Sequence, residues 1–466
     1  MALLPNIIII LVDDQAWSGT SISRYHPFRV DSASDYFEMP HLERLSREGI
    51  RFTDAYAPAP ICSPSRISIQ LGVSPVKLRA TTFCGIRRDG KVAQKRPDGQ
   101  LATAEVLKNG HPEYATAHIG KWHIYGHSPA EFGFDVSDGS TWVESSKPSK
   151  KPEAPLQRDS ERDPKRIFDL TTRALDFIEK QEVEGRPFFL QLSHYALHIP
   201  IECRPVQRKR FEQKRPGWKD NYPDYAAMTA DLDESLGSIL CKLDRLRLSE
   251  NTYLFYLSDN GGNRCDHISL SNLCLPLRKG KQFLHEGGIR IPFVVRGPGI
   301  KPDSVCMEPV IAYDLLPTIA DIAGCNQLPE NLDGISLRPV LEHPNPALHR
   351  ATERKPLPPV LEREDDMFVW HVPYRVPGYS YYRESAIRRG KYKLLRNWDG
   401  DFVELYDLEV DYEERVNLAN QKPELTKQLD NMLQKYLEDV KAEMDLAPAS
   451  IRIWKQWQED DRSLNV

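Results

Sequence analysis

"NIIIILV" fills residues 6–12, and "DDQ" follows at 13–15. The run is far short of the roughly 20 apolar residues that cross a bilayer. It has neither the basic flank nor the small-residue cleavage site of a signal peptide. A short, β-branched, uninterrupted apolar run reads instead as a strand buried on both faces, the habit of parallel sheets. Similar runs stand at 114–119, 187–193, 252–257 and 291–295. Amphipathic helical patterns separate them at 40–48, 67–71, 103–108, 167–180, 225–246 and 313–323. This alternation predicts an α/β fold, a large mostly parallel (mixed) sheet sandwiched by helices. Ligands in such folds gather beyond the carboxyl ends of the strands.

The pattern changes near residue 365. "SAIRRGKYKLL" (385–395) reads as two short strands around Arg389-Gly390, and "FVELYDL" (402–408) as a third. A helix follows with Leu425, Leu429, Leu433, Leu437 and Val440 on one stripe. The expected division is therefore a large α/β domain over 1–364 and a smaller C-terminal α+β subdomain over 365–466. Two stretches are irregular. Residues 144–165, rich in Lys, Pro, Ser and Asp, read as a surface loop. Residues 204–219 carry Arg204, Arg208, Lys209, Arg210, Lys214, Arg215 and Lys219, which form either a solvated face or a basic rim for an anionic substrate.

With 466 residues, 40% apolar and 28% charged, the chain reads as ordinary globular protein with a large core. Its net charge of −5 excludes a nucleic-acid polycation. None of the eight cysteines forms a C-x-x-C pair, so a zinc site is not expected. Cys265 and Cys274 are the expected disulfide, and Cys241 is expected in the core.

Polar pairs follow four strands. Asp13-Asp14 follows the first, Lys121 and His123 of "GKWH" the second, His198 of "HIP" the third, and Asp259-Asn260 of "SDNGG" the fourth. Any one aspartate after a strand is more often a cap or turn former. Together they put three carboxylates and an amide on one rim, hard oxygen ligands suited to Ca²⁺ or Mg²⁺. Arg66, Lys121, His123, His198 and Lys281 join that rim, and a metal among several cations implies a bound oxyanion. Cys62, at a helix N-terminus whose first turn Pro64 would begin and four residues before Arg66, stays open at this point as nucleophile, metal ligand, small hydrophobe or precursor of another group.

As a set, these residues resemble the type I sulfatases of the alkaline phosphatase superfamily, bacterial polysaccharide sulfatases among them. "CSPSR" (62–66) fits their C-x-P-x-R signature, and "NIIIILVDDQ", "GKWH", "SDNGG" and "KQFLHEGGIRIPFVVRGPG" (281–299) occur in the family's order. "SAIRRGKYKLL" and "ELYDL" resemble its C-terminal subdomain. The resemblance implies that a separate maturation enzyme converts Cys62 to formylglycine, whose hydrate is the nucleophile in covalent catalysis. It implies one Ca²⁺ held by Asp13, Asp14, Asp259 and Asn260, with the modified Cys62 beside it. It further implies that Asp259 takes the attacking hydroxyl's proton and that Arg66 orients the nucleophile. Lys121 and Lys281 would neutralise sulfuryl oxygens, with Lys279 as fallback for the latter. His123 would act as base when sulfate leaves, and His198 as acid on the leaving oxygen. His26, His41 and His118 are left to structural roles, as is Glu286-Gly287-Gly288.

The implied substrate is a sulfated carbohydrate. "WHVPYRVPGYSYYRE" (370–384) at the subdomain junction offers Trp370 and Tyr374 for stacking and His371 and Arg375 for polar recognition, against an alternative as plain packing. The rivals are a phosphonate or phosphodiester hydrolase with the same signature, an inactive glycan-binding relative, and a cysteine protease. The last leaves the acidic cluster unexplained. The resemblance places the protein in the periplasm or outside the cell, although no signal peptide is visible, with the cytoplasm as the alternative; neither nucleic acid nor a membrane span is expected.

Overall fold

The isoleucine run lies at the heart of an eight-stranded mixed sheet. The computed structural model describes residues 3–23, 32–82, 96–141, 161–263, 273–343, 361–363, 366–375 and 382–445. In chain order the strands of the larger unit are β1 (Asn6–Val12), β2 (Ile50–Phe52), β3 (Ala55–Tyr56), β4 (Ala115–Gly120), β5 (Val136–Ser137), β6 (Phe188–Ser193), β7 (Thr252–Ser258), β8 (Phe293–Arg296), β9 (Ser304–Cys306) and β10 (Val310–Ile311). The sheet runs β5-β4-β6-β1-β7-β8-β2-β9, while β3 and β10 pair separately. Strands β5, β4, β6, β1 and β7 are all parallel, and β8 runs against β7 and β2. Four adjacent parallel strands, β4-β6-β1-β7, therefore present their carboxyl ends on one rim.

The helices are α1 (Pro40–Arg47), α2 (Cys62–Leu71), α3 (Thr103–Gly110), α4 (Ile167–Glu184), α5 (Pro205–Glu212), α6 (Pro223–Arg245), α7 (Glu286–Ile289), α8 (Leu315–Ala323), α9 (Arg338–Glu342) and α10 (Pro423–Asp439). Successive β1 side chains point to opposite faces. Ile7, Ile9 and Leu11 pack in the core with α2, α3 and α8, while Ile8, Ile10 and Val12 pack in the core with α1, α4 and α6. The expected sandwich is thus observed, and burial on both faces explains the unbroken apolar run.

The C-terminal unit is an antiparallel sheet of β11 (Met367–Val372), β12 (Glu384–Arg389), β13 (Tyr392–Asn397) and β14 (Phe402–Asp407), one strand more than the sequence suggested. Leu429, Leu433 and Leu437 of α10 bury against Ile387, Leu394 and Leu405 of this sheet, each worth on the order of 2 kcal/mol. The sheet's other face closes on the large unit, where Trp370 packs against Tyr56 with ring centroids 5.4 Å apart.

Several expectations need correction or limits. The helical run expected at 67–71 extends back to Cys62, where Pro64 marks the first turn, and every residue of α2 is buried. Ser65 exchanges hydrogen bonds with the Ala59 backbone, and Gln70 donates to Gln191 at 2.6 Å. Cys241, expected in the core, is exposed on the outer face of α6. Cys265, His26 and most of 144–165 lie outside the described residues. The basic stretch is mostly a solvated face whose cations are largely paired, Arg204 with Asp231 and Glu234, Arg208 with Glu212 and Asp224, and Lys214 with Glu38, whereas Lys219 is buried against Asp220.

Candidate active site

Each strand end delivers its residue to the rim. Gly120 closes β4 with φ +99, and a Cβ there would lie 2.0 Å from the Ser193 carbonyl oxygen. Only glycine lets β4 turn against β6 at this point, and the turn leads directly into Lys121. Asp14 (φ 60) and His123 (φ 55) also hold left-handed backbone, a conformation that costs a non-glycine residue about 1–2 kcal/mol and concentrates at functional sites.

The centre is a buried lattice of opposite charges. Arg66 Nε donates to Asp259 Oδ2 at 2.8 Å, and its Nη1 donates to the Lys121 carbonyl oxygen at 2.6 Å. Lys121 Nζ is paired with Asp13 Oδ2. Lys281 Nζ lies 2.7 and 2.8 Å from the two Asp14 oxygens, and Asn260 Nδ2 donates to Asp14 Oδ1 at 2.8 Å. The Asp14 N–H donates to Asp259 Oδ1 at 3.2 Å. His198 Nδ1 donates to the Ile199 carbonyl oxygen at 2.6 Å, which leaves Nε2 3.8 Å from Asp14 Oδ2.

Ligand atoms of Asp13, Cys62 and Asp259 lie within 4.8 Å of one another. Asp13 Oδ1 and Asn260 Oδ1 are buried acceptors without a hydrogen-bond partner. Such atoms are costly unless something compensates them. Two orphaned oxygens among three carboxylates fit a hard cation such as Ca²⁺ in donor type and charge.

The site's electrostatics divide its acids. Burial raises the Asp13 carboxyl, yet Lys121, His198, Arg66 and Lys281 together hold it well below the usual carboxylate range. Burial pushes Asp259 up to about 6 against the pull of Arg66, with Asp13 adding repulsion. Two carboxylates with separated affinities suit one constant anion and one proton acceptor. Burial, reinforced by Lys121 and Arg66, drives His123 well below the ordinary histidine value. Burial and Lys281 bring His198 to about 4. Burial also outweighs Lys121 and Lys281 at Cys62 and pushes its thiol up, the opposite of what a thiolate nucleophile needs.

Cys62, Arg66, Lys121, His123, His198, Lys281, Asp13, Asp14, Asp259 and Asn260 thus come together. Lys281 is the lysine on the rim; Lys279 is exposed and stands 4.9 Å over the Phe283 ring. The segment expected to recognise substrate falls differently. Trp370 is fully buried and donates Nε1–H to the Ala57 carbonyl oxygen at 2.9 Å, so its faces are spent on packing. His371 is buried with Nδ1 2.7 Å from Ser385 Oγ and Nε2 2.8 Å from the Glu443 carbonyl oxygen. Tyr374 is also buried, and Arg375 is exposed and paired with Asp399. What sequence reading missed is Trp370's actual task, bracing the loop that approaches Cys62. An alternation of large apolar residues in β11 was the available signal.

Residues 5–325 match the family model described as Sulfatase. This chain belongs to the sulfatase family. It is 31% identical over 369 residues to N-acetylgalactosamine-6-sulfatase of Canis lupus familiaris, a match covering 72% of this chain and 66% of that one. The match thus spans just under two thirds of that relative's length. It is 26% identical over 469 residues to the ulvan-active sulfatase of Formosa agariphila, covering 94% of this chain and 81% of that one. The fold of Ps i-CgsB corresponds with a TM-score of 0.74 at 23% identity over 98% of both chains. That of the PsFucS1 sulfatase from Pseudoalteromonas sp. corresponds with a TM-score of 0.70 at 21% identity, over 95% of this chain and 92% of that one. Among the described residues no helix is long and apolar enough to cross a membrane.

Proposed function

We propose that this sulfatase-family chain hydrolyses sulfate monoesters on a sulfated carbohydrate. The observation that carries the reading is the ring of Arg66, Lys121 and Lys281 around Cys62, beside an acidic cluster with two orphaned oxygens. Three cations match an anionic group that brings less charge than a phosphate monoester. The relatives named for N-acetylgalactosamine-6-sulfate and ulvan support a carbohydrate as the bearer.

Asp13, Asp14, Asp259 and Asn260 would hold Ca²⁺, and the bound ion would supply polarisation of a sulfate oxygen and a lowered proton affinity at the nucleophile. Cys62 would be carried as formylglycine, whose hydrate supplies an oxygen nucleophile. Arg66, fixed by Asp259 and the Lys121 carbonyl, orients that position. Lys121 and Lys281 bind sulfuryl oxygens and stabilise charge as it shifts. Asp259 accepts a proton at a carboxylate oxygen. His198 carries a proton on Nε2 toward the leaving oxygen, and the incoming sulfate's charge favours its protonated form. His123 accepts a proton when sulfate departs.

Burial of all of α2 means that a maturation enzyme must reach 62–66 before the chain closes. We assign the catalytic chemistry to residues 1–364, a supporting subdomain to 365–466, and the protein to the periplasm or the extracellular space, where a polymer is met. The test is sulfate release by the matured chain from defined sulfated mono- and oligosaccharides. Faster release from phosphate or phosphonate esters would overturn the reading.

A further inference from the structure

The segment 278–286 carries Lys281, and both of its ends are tied to one residue of the C-terminal unit. Arg278 Nη1 donates to the Glu414 carbonyl oxygen at 2.7 Å and to Tyr406 Oη at 2.7 Å. The Glu286 N–H donates to Glu414 Oε2 at 2.8 Å. Lys393 Nζ then bridges Glu286 Oε1 and Glu414 Oε1, each at 2.8 Å, and all three side chains are fully buried. Glu286 Oε2 accepts from Tyr56 Oη at 2.7 Å and faces Arg290 Nη1 at 3.4 Å.

Between these anchors the backbone is forced. Lys279 (φ 61) and Gln282 (φ 79) flank Lys281 in the left-handed region. Gly287 N–H closes the loop on the Arg278 carbonyl oxygen at 3.0 Å, where a Cβ would lie 2.4 Å from that oxygen. Such backbone persists only when its surroundings over-determine it. Stability alone does not call for a buried ion triad, since packed apolar residues serve as well or better. The triad also hydrogen-bonds the segment's own backbone, which apolar side chains cannot do.

We propose that Lys393 and Glu414 are positioning residues that hold 278–286 in the strained shape placing Lys281 Nζ against Asp14, and hence against the sulfuryl oxygens of substrate. The C-terminal unit would then set a cation in the catalytic rim from behind it. This rests on the sulfate-ester reading.

The test is a double-mutant cycle on the matured chain, with the best sulfated saccharide as probe. E414Q keeps the shape but cannot accept from both Lys393 and the Glu286 N–H. We expect kcat/KM to fall at least about tenfold, mainly through kcat, in protein that still folds and unfolds cooperatively at a lowered thermal midpoint. In a K281A background the same change should cost less than about twofold, because the cation it positions is already gone. K393M should behave alike, with partial recovery in K393R; where K393M fails to fold, E414Q decides. Equal fold-losses with and without Lys281, or an undiminished kcat in folded E414Q, overturn the proposal. A matured wild type that releases no sulfate from any saccharide defeats the underlying reading and takes this one with it, a result distinct from K281A losing activity while E414Q keeps it.

Discussion

Lys281 Nζ donates to Asp14 Oδ2 at 2.8 Å across 267 positions of sequence. Asp14 closes β1, and Lys281 sits on a loop held from the C-terminal unit. Asp14, Asp13, Lys121 and Asn260 leave the ends of adjacent parallel strands, but Lys281 reaches the same rim from a different layer. Burial lowers the lysine's affinity for its proton, yet Asp14 and Asp13 outweigh that and hold it firmly charged. K281A should lower kcat/KM by about 10²–10³, the scale for losing one preorganised donor to transition-state charge. K279A should stay within about twofold, and similar losses in the two variants would show that the wrong lysine has been assigned.

Peptide mapping of chain co-produced with a maturation enzyme should show a loss of about 18 Da at Cys62, as expected when the thiol becomes an aldehyde. Protein made without that enzyme should be nearly inactive. Full activity from protein that retains the thiol would sink the formylglycine assignment.

Calcium should raise the thermal midpoint of the purified chain, since a ligand bound to the native state alone stabilises it by mass action. N260A removes one of the two orphaned oxygens and should weaken this calcium-dependent shift with the fold retained. A shift of unchanged midpoint and concentration dependence in N260A would exclude Asn260 as a ligand.

His371 and Arg375 should separate in function. H371A leaves Ser385 Oγ and the Glu443 carbonyl without a ring partner and should cost about 1–3 kcal/mol of stability. Its effect on sulfated sugars and aryl sulfates should be equal. R375A, at an exposed position, should leave stability within about 0.5 kcal/mol. If Arg375 reads sugar, its variant will lose turnover of the saccharide and keep that of an activated aryl sulfate; equal turnover of both would assign it to surface pairing with Asp399.

Acid should destabilise the chain in a defined window. Burial brings His371 to about 4 and His194 to about 3, both below the ordinary 6.5. The folded state keeps these rings neutral while the unfolded chain takes up protons. Their stabilising contribution is therefore complete above about pH 6.5 and is lost as pH falls through the folded values. Each group costs about 1.4 kcal/mol per pH unit within that window. Thermal midpoints of H371Q should decline less steeply than wild type between pH 6.5 and 4, and parallel slopes would contradict this.

Sequence alone determined the α/β class and which residues meet on most of the candidate rim. A parallel strand buried on both faces must be a continuous apolar run, and a polar residue directly after it must leave the sheet at its carboxyl end. Asp13, Asp14, Lys121, Asp259 and Asn260 were legible for that reason. Pro64 marked the first turn of α2, but the helix's unbroken run from Cys62 to Leu71 was not legible as a period, because a fully buried helix has no amphipathic period to read. The roles of Trp370, His371, Lys393, Glu286 and Glu414 were decided only in three dimensions. A buried aromatic and a stacking platform have the same composition, and a lysine between two glutamates is an ordinary surface pattern until tertiary packing excludes water and closes their charges on one another.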